Sequence, residues 1–451
     1  MTLMKNPKKP VRSKSGITPL TVVLKPKKCD HGTCIYCPGG DFVPQSYTDK
    51  SPAIMRAMSL KYDIREQVRV RLNSLIAMGH PTEKIELIFI GGTFLQYPPE
   101  YQYEAVKDCY DVLNSKKSRT LKKAKELNEK VKHRVVAFCI ENRPDNCSLE
   151  DIKKMREFGC TRVEIGVQIL CNTVYKKTNR GHTIQDVVDA TQRLKDAGFK
   201  VGYHIMPGIP YSNRRKDIAK FKLVFKDERF RPDQLKLYPC QIVESSPLAD
   251  NYQKIGYKPY TNAQTKSILK EMFMLIPDYC RVMRVMREIP REKMKVEAAS
   301  TSMRGELNKE LKNLGIKEIR MREVGFQEGI DLKTKLKIIE YDASKGREYF
   351  LEMVNKDDIL FGLLRLRIKD KRAMIRELHV YGQSLNLGEE GKISQHRGFG
   401  KFLMNEAEKI SRKNGCREIN VISGVGVREY YRKLGYELDN TSGEYMVKNL
   451  S

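Results

Sequence analysis

Between about residues 20 and 290, short apolar runs rich in β-branched residues alternate with amphipathic helical stretches, and this alternation restricts the fold more tightly than any other feature. The runs are residues 85–90, 135–140, 162–168, 200–206 and 234–238, with helical patterns such as 149–158 and 184–197 between them. The second of these helices ends at Gly198, a residue type that closes helices in the left-handed conformation. Buried-looking strands, each followed by a helix, predict repeated βα units and hence a parallel sheet or barrel. Polar groups at the C-terminal ends of such strands converge on one face, where folds of this type carry their chemistry.

Composition narrows the partners and the compartment. Apolar residues are 40% and charged residues 31% of the 451, enough for a sizeable core and too apolar for a disordered chain. The length suggests about three domain-sized units, or one large barrel with a smaller domain. Lys+Arg 84 against Asp+Glu 56 leaves +28, which favours a polyanionic partner because cations release the counterions condensed on nucleic acid. No run of about 18 apolar residues exists, so no membrane contact is expected. The first 28 residues hold eight Lys/Arg and no acid, but their longest apolar stretch is Thr21-Val22-Val23-Leu24, too short for a secretory signal. Eleven cysteines, an odd count over a long chain, fit a reducing cytoplasm better than a disulfide scaffold.

The texture divides the chain into a basic N-terminal segment (1–20), a barrel (21–290), a charged helical connector (291–316) and a second α/β domain (317–451). In the last, residues 335–341, 359–368 and 373–381 read as meandering antiparallel strands. A glycine turn, a helix over 400–414, a strand over 418–423, a short helix and a strand pair follow. Residues 116–134 carry nine Lys/Arg against two Glu; the run reads either as a solvated helix face or as a nucleic-acid contact.

Cys29-Asp30-His31-Gly32-Thr33-Cys34-Ile35-Tyr36-Cys37 places three thiols at C-x4-C-x2-C spacing, followed by Pro38-Gly39-Gly40. Thiols this close can converge on one soft metal centre. Three readings stay open on spacing alone. One is a [4Fe–4S] cluster with an iron left free for a substrate or cofactor, one is zinc with His31 as fourth ligand, and one is incidental cysteines. The other eight cysteines are scattered and read as core residues.

The triplet at the end of the first strand, with βα repeats after it, resembles the radical S-adenosylmethionine (SAM) superfamily. Gly91-Gly92-Thr93-Phe94, after the run 85–90, resembles that superfamily's glycine motif, so the resemblance places Gly91, Gly92 and Thr93 on the amino group of SAM. In the second domain Gln395-His396-Arg397-Gly398-Phe399-Gly400 opens a helix, and amides at a helix N-terminus can cradle a pyrophosphate. This pattern resembles the acetyl-coenzyme A (acetyl-CoA) loop of the GNAT acetyltransferases. Tyr431-Arg432-Lys433-Leu434-Gly435-Tyr436 resembles their C-terminal motif, whose tyrosine lies near the thioester sulfur and can protonate the leaving thiolate. Tyr430 and Tyr431 are both candidates, and two adjacent helical residues cannot share a face.

Joined in one chain, these features resemble the family of Elongator catalytic subunits, tRNA wobble-uridine acetyltransferases, here in a form that could stand alone without other subunits. The resemblance includes Arg143-Pro144-Asp145, Thr178-Asn179-Arg180-Gly181-His182-Thr183, Arg322-Glu323-Val324-Gly325 and Glu377-Leu378-His379-Val380-Tyr381-Gly382. It implies an α/β chain, a radical-SAM-type partial (β/α) barrel followed by a GNAT-type mixed domain. It implies a [4Fe–4S] cluster on Cys29, Cys34 and Cys37, an electron donor for it, and the anticodon loop of tRNA as partner. Acetyl-CoA would meet Lys84 from the barrel side and Glu377, Leu378, His379, Val380, Phe399, Gly400, Lys401 and Tyr431 from the GNAT side; Lys84, Tyr430 and Tyr431 are the catalytic candidates. The reaction implied is a radical one that leaves a carboxymethyl group on C5 of the wobble uridine. The GNAT motifs alone would suit a protein lysine acetyltransferase on a non-catalytic Fe–S/SAM scaffold, and Cys29/His31/Cys34/Cys37 a zinc-stabilised RNA-binding protein. Four departures stand out. The family usually carries a longer basic extension ahead of Lys9-Pro10-Val11-Arg12, whereas the sequence here starts just before that segment. Residues 316–321 lack the thiolates that hold zinc in many relatives, so no zinc is expected there. Gly208 stands where the family has an acid, and Asn142 replaces a threonine.

Overall fold

The structure is a computed structural model and describes residues 13–296, 299–382, 398–439, 441 and 443–451. Seven parallel strands form the first sheet in sequence order: β1 (Thr18–Val23), β2 (Lys84–Ile90), β3 (Arg134–Asn142), β4 (Arg162–Gln168), β5 (Lys200–Ile205), β6 (Gln234–Leu237) and β7 (Arg281–Val285). Helices between them cover the outer face, and the curled sheet stays open between β7 and β1 as a partial barrel. The strands expected from the apolar runs are present within two residues of each end. β7 and β1 join them, although Arg281 and Arg284 break the apolar pattern of the first and only six residues make up the second.

The second sheet runs β13-β14-β12-β11-β10-β9-β8, from β8 (Lys335–Ala343), β9 (Gly346–Val354), β10 (Leu360–Lys369), β11 (Arg372–Val380), β12 (Glu418–Val421), β13 (Glu437–Leu438) and β14 (Met446–Asn449). Its single parallel pair, β11 with β12, is bridged by the helix Phe399–Lys413. This is the mixed α/β domain expected, with β9 as an unforeseen strand. Residues 291–316 hold the helix Met303–Asn313, in keeping with their charged helical pattern. Within 316–321, Glu318 is fully buried and accepts from Arg304, the Val282 amide and the Arg320 amide, so a carboxylate ties this stretch to β7.

The two sheets are clamped together. A β-carbon on Gly424 would lie 2.0 Å from the Val136 carbonyl oxygen, so the turn before helix Arg428–Arg432 rests directly on the backbone of β3. Arg376 of β11 donates to Asp233 at 2.6 and 2.8 Å, and Arg367 and Lys369 of β10 donate to Asp196 at 2.5 and 2.6 Å. The basic run 116–134 takes part as well. Its helix Leu121–Asn128 turns Lys125 inward to Glu444 at 3.1 Å, and Glu129 accepts from Arg428 and Arg432. One face of the run is therefore a domain interface, which neither sequence reading foresaw; Lys116, Lys117, Arg119, Lys122, Lys123, Lys130 and Lys132 remain exposed.

Candidate active site

After β1 the chain enters a loop that carries the three cysteines. Left-handed backbone at Gly39 and Gly40 folds it back so tightly that a β-carbon on Gly39 would meet the Pro44 oxygen at 2.5 Å. The return strand of the loop then serves the thiols. Gln45 Nε2 donates to Cys37 Sγ at 3.3 Å, and Ser46 Oγ lies 3.1 Å from the same sulfur. Arg180 Nη1 donates to Cys34 Sγ at 3.7 Å while its Nη2 is anchored on the Gly166 oxygen at 2.6 Å. His31 Nε2 sits 3.4 Å from Cys34 Sγ and accepts from Arg143 Nη1 at 3.0 Å; Thr93 Oγ1 lies 3.8 Å from Cys29 Sγ.

Burial pushes the Cys29 and Cys37 thiols up, so without a cation they stay protonated; a bound metal centre deprotonates them. Donors aimed at sulfur suit a metal–sulfur centre, whose properties depend on hydrogen bonds to its sulfurs. Thiolates on one tetrahedral zinc stand about 3.8 Å apart. No three of Cys29, His31, Cys34 and Cys37 gather their ligand atoms within 4.8 Å of one another. Glu141, Glu164 and His204 do gather within that distance, but the Lys236 ammonium already sits among them, 2.8 Å from Glu141 and also paired with Glu164.

The cysteine lip opens into a cavity of about 560 Å³ that runs through the barrel. Gly92 and Thr93 line it together with the cysteines, and Gly91 packs behind on Leu24. Its middle is polar. Glu164 is buried among Arg162, Lys236 and His204, whose Nε2 is 2.8 Å away, and their charges outweigh burial to hold its carboxyl low. Its far end reaches Arg162, Lys200 and Arg281 at the strand N-termini, then Glu377 and His379 of β11. Both sheets thus face one chamber.

On β11 the side chains alternate. Burial pushes Glu377 up, yet Lys200 at 2.5 Å and Arg365 at 2.7 Å hold it well below the carboxylate range. Burial pushes His379 down to about 4, leaving it neutral, and its Nε2–H donates to the Ser15 oxygen at 2.7 Å. Leu378 points the other way, towards Gly400 and Tyr430. The helix begins at left-handed Gly398; Phe399 packs on Phe361, Gly400 is half-buried and Lys401 is exposed. Gln395, His396 and Arg397, like Lys9-Pro10-Val11-Arg12, lie outside the described residues.

The tyrosine pair separates as helical geometry demands. Tyr430 is 37% exposed, and a β-carbon on Gly400 would lie 2.6 Å from its hydroxyl; Tyr431 is 5% exposed and packs on Tyr436. Lys84 stands at the first residue of β2, half-buried with its ammonium pushed down by burial, and does not line the chamber. Arg143, Arg180, Gln45, His204 and Lys236 were without a role in the sequence reading. The Arg143-Pro144-Asp145 and TNRGHT segments were the signals that could have found the first two.

The profile of the radical SAM superfamily matches residues 24–221, that of the radical SAM C-terminal domain 232–315, and that of the acetyltransferase (GNAT) family 316–436. A tRNA uridine(34) acetyltransferase of Dehalococcoides mccartyi (strain CBDB1) is 44% identical over 462 residues, covering 98% of this chain and 100% of that protein. The Elongator complex protein 3 of Schizosaccharomyces pombe is 38% identical, covering 98% of this chain and 86% of that one. The chain belongs to the Elongator protein 3 family. Among solved structures, the archaeal Methanocaldococcus infernus Elp3 with an N-terminal deletion superposes with a TM-score of 0.85 at 37% identity, over 96% of this chain and 99% of that one. The Elongator protein 3 architecture accounts for the joined halves, and Ser15-Gly16-Ile17 is one of the segments that joins them. Ser15 Oγ donates to Glu323 and accepts from Arg281 Nη2 at 3.3 Å, while the Ser15 backbone oxygen accepts from His379.

Proposed function

We propose that this chain is a tRNA uridine(34) acetyltransferase that uses acetyl-CoA and SAM to leave a carboxymethyl group on C5 of the wobble uridine. The observation that carries this reading is the single chamber with the three thiols at one end and Glu377 and His379 at the other. C5 of uracil is a poor nucleophile towards a thioester, so acyl transfer with an oxyanion pocket alone does not suit it. When bound, a [4Fe–4S] cluster with SAM supplies an organic radical able to take hydrogen from the acetyl methyl group. Cys29, Cys34 and Cys37 would hold that cluster, and Gly91, Gly92 and Thr93 the amino group of SAM. A one-electron donor is required as a partner.

The chain's own groups position and exclude. Glu377, Leu378, His379, Val380, Phe399, Gly400 and Lys401 would hold acetyl-CoA, its thioester end turned towards the barrel. Tyr430 is the better placed proton donor of the tyrosine pair: it is partly exposed with its hydroxyl over Gly400, whereas Tyr431 is buried against Tyr436. The anticodon loop is single-stranded, so a base can be presented to the basic mouth without melting a duplex.

The test is mass spectrometry of nucleosides from tRNA incubated anaerobically with the protein, SAM, a reductant and acetyl-CoA. Carboxymethylated uridine should form with the wild type and not with Cys34→Ser; full modification by Cys34→Ser would sink the reading. Acetylation of protein lysines that survives loss of all three cysteines, with tRNA untouched, would replace it by a protein acetyltransferase.

A further inference from the structure

Two side chains have no task in the chemistry above: Arg287, which lines the chamber, and Phe42, on the loop that carries the lining residue Gln45. Phe42 is 90% exposed, the most exposed large apolar side chain among the described residues. Its backbone is nevertheless held. The Gly40 amide donates to the Val43 oxygen at 2.8 Å, Tyr62 Oη donates to the Phe42 oxygen at 3.4 Å, and Lys28 pairs with Asp41 at 2.6 Å. Val43 packs into the small core of Val23, Ile54, Ala57 and Tyr62, which seats the loop against helix Pro52–Ser59. That helix supplies Ala53 and Arg56 to the rim of the chamber. The same loop supplies Gln45, Ser46 and Tyr47 to the chamber wall, so an aromatic ring stands in water on a held stretch of backbone only three residues from the lining.

The other lip is the end of β7. Met286 is buried and left-handed at φ 66°, a conformation disfavoured for a residue with a side chain, and its amide donates to the Leu237 oxygen at 3.0 Å. This turn brings the next residue, Arg287, to line the chamber, where its charge is felt at Cys37 and Tyr47 of the opposite lip. Arg287 has no hydrogen bond or ion pair with the described residues, whereas its neighbour Arg284 is paired with Glu288 at 3.0 Å. Strained backbone that delivers an unpartnered guanidinium to a cavity mouth points to an anion.

We infer that the mouth docks a single-stranded RNA loop, Arg287 taking a backbone phosphate of the nucleotide that enters the chamber and Phe42 stacking on the base of a neighbouring nucleotide. This rests on the tRNA reading. A guanidinium fork matches phosphate, and an aromatic face accepts any base, so together they hold a loop without reading its sequence. The charge of +28 favours RNA over a protein as the occupant.

The full chain is titrated with an anticodon stem–loop RNA carrying 2-aminopurine on one or the other side of the wobble uridine, across a range of salt. Phe42→Ala should weaken binding about 5- to 150-fold with an unchanged salt slope, and should relieve the quenching of 2-aminopurine on one side; Phe42→Trp should restore both. Arg287→Gln should lower the logarithmic salt slope by about 0.7, the share of one phosphate on a single strand, and Arg287→Lys should keep it. Wild-type binding and quenching in Phe42→Ala, or an unaltered slope in Arg287→Gln, overturns the inference while the tRNA reading stands. A wild type that fails to bind the stem–loop at all brings down both. Loss of binding to another protein, with RNA binding intact, assigns the mouth to a protein partner and overturns the RNA assignment.

Discussion

Gly208 shows how one position can depart from its family and still leave a carboxylate in place. Its backbone is left-handed at φ 76°, and a β-carbon there would meet the Tyr260 ring at 2.9 Å. The Gly208 amide donates to Asp217 at 2.6 Å, and Tyr260 Oη donates to the same carboxylate at 2.7 Å. Burial pushes Asp217 up, so a second acid beside it is unfavourable. Gly208→Asp should therefore destabilise the protein by about 1–3 kcal/mol, read as a lower urea midpoint with unchanged m-value. An equal or higher midpoint would mean that Tyr260 can withdraw at no cost. The same contrast governs what the residue pattern revealed of the site. The thiol triplet and the glycine pair are local in sequence and stood out. Arg180, whose guanidinium reaches Cys34 across 146 residues, and Arg287, turned inward by a strained methionine, gain their meaning from the fold alone.

At the scale of elements, the basic run 116–134 divides along its helix. Lys125 and Glu129 face the second domain, where Arg428 is itself buried; Lys122 and Lys123 face water. Glu129→Gln removes the nearer of two carboxylates from Arg428, at 3.2 Å, leaving Glu444 at 3.9 Å, and should cost about 1.5–3 kcal/mol in thermal or chemical unfolding. Lys122→Gln with Lys123→Gln should leave stability within about 0.5 kcal/mol and, if this face meets tRNA, flatten the salt dependence of tRNA binding. An unchanged slope would mark the face as solvated. Apolar periodicity found the barrel strands because parallel strands are buried on both faces. It passed over β9, which begins Gly346-Arg347-Glu348, because Glu348 is a buried charge whose partners, Arg367 and Arg376, lie on other strands. Element type was legible wherever burial followed hydrophobicity, and not where it followed charge pairing.

Across the whole molecule, that pairing should make the two sheets unfold as one body. Asp233 lies between Arg376 and Arg365 of the second sheet and Lys195 of the barrel, all fully buried. Burial pushes Asp233 up, but these three cations overturn it and hold the carboxyl well below its ordinary range, as Lys200 and Arg365 do for Glu377. Unfolded Asp and Glu titrate near about 3.9 and 4.3, so a folded carboxyl held lower contributes stability that is complete above those values. That stability is lost as pH falls through them towards the folded value. The chain lacks Trp, so single reporters can be placed at partly exposed Tyr211→Trp in the barrel and Phe402→Trp in the second domain. Both should report one urea transition whose midpoint is flat with respect to these two groups above about pH 5 and falls together below about pH 4. Asp233→Asn leaves Lys195 and Arg376 with Glu348 alone and Arg365 with Glu377 alone, and should cost about 3–5 kcal/mol at neutral pH, while shrinking the acid-dependent fall at both reporters. Two separated transitions, with Asp233→Asn shifting the barrel reporter alone, would show that the sheets touch without sharing stability. A chamber that must keep its thiol lip and Glu377 in register across the domain boundary requires the coupled outcome.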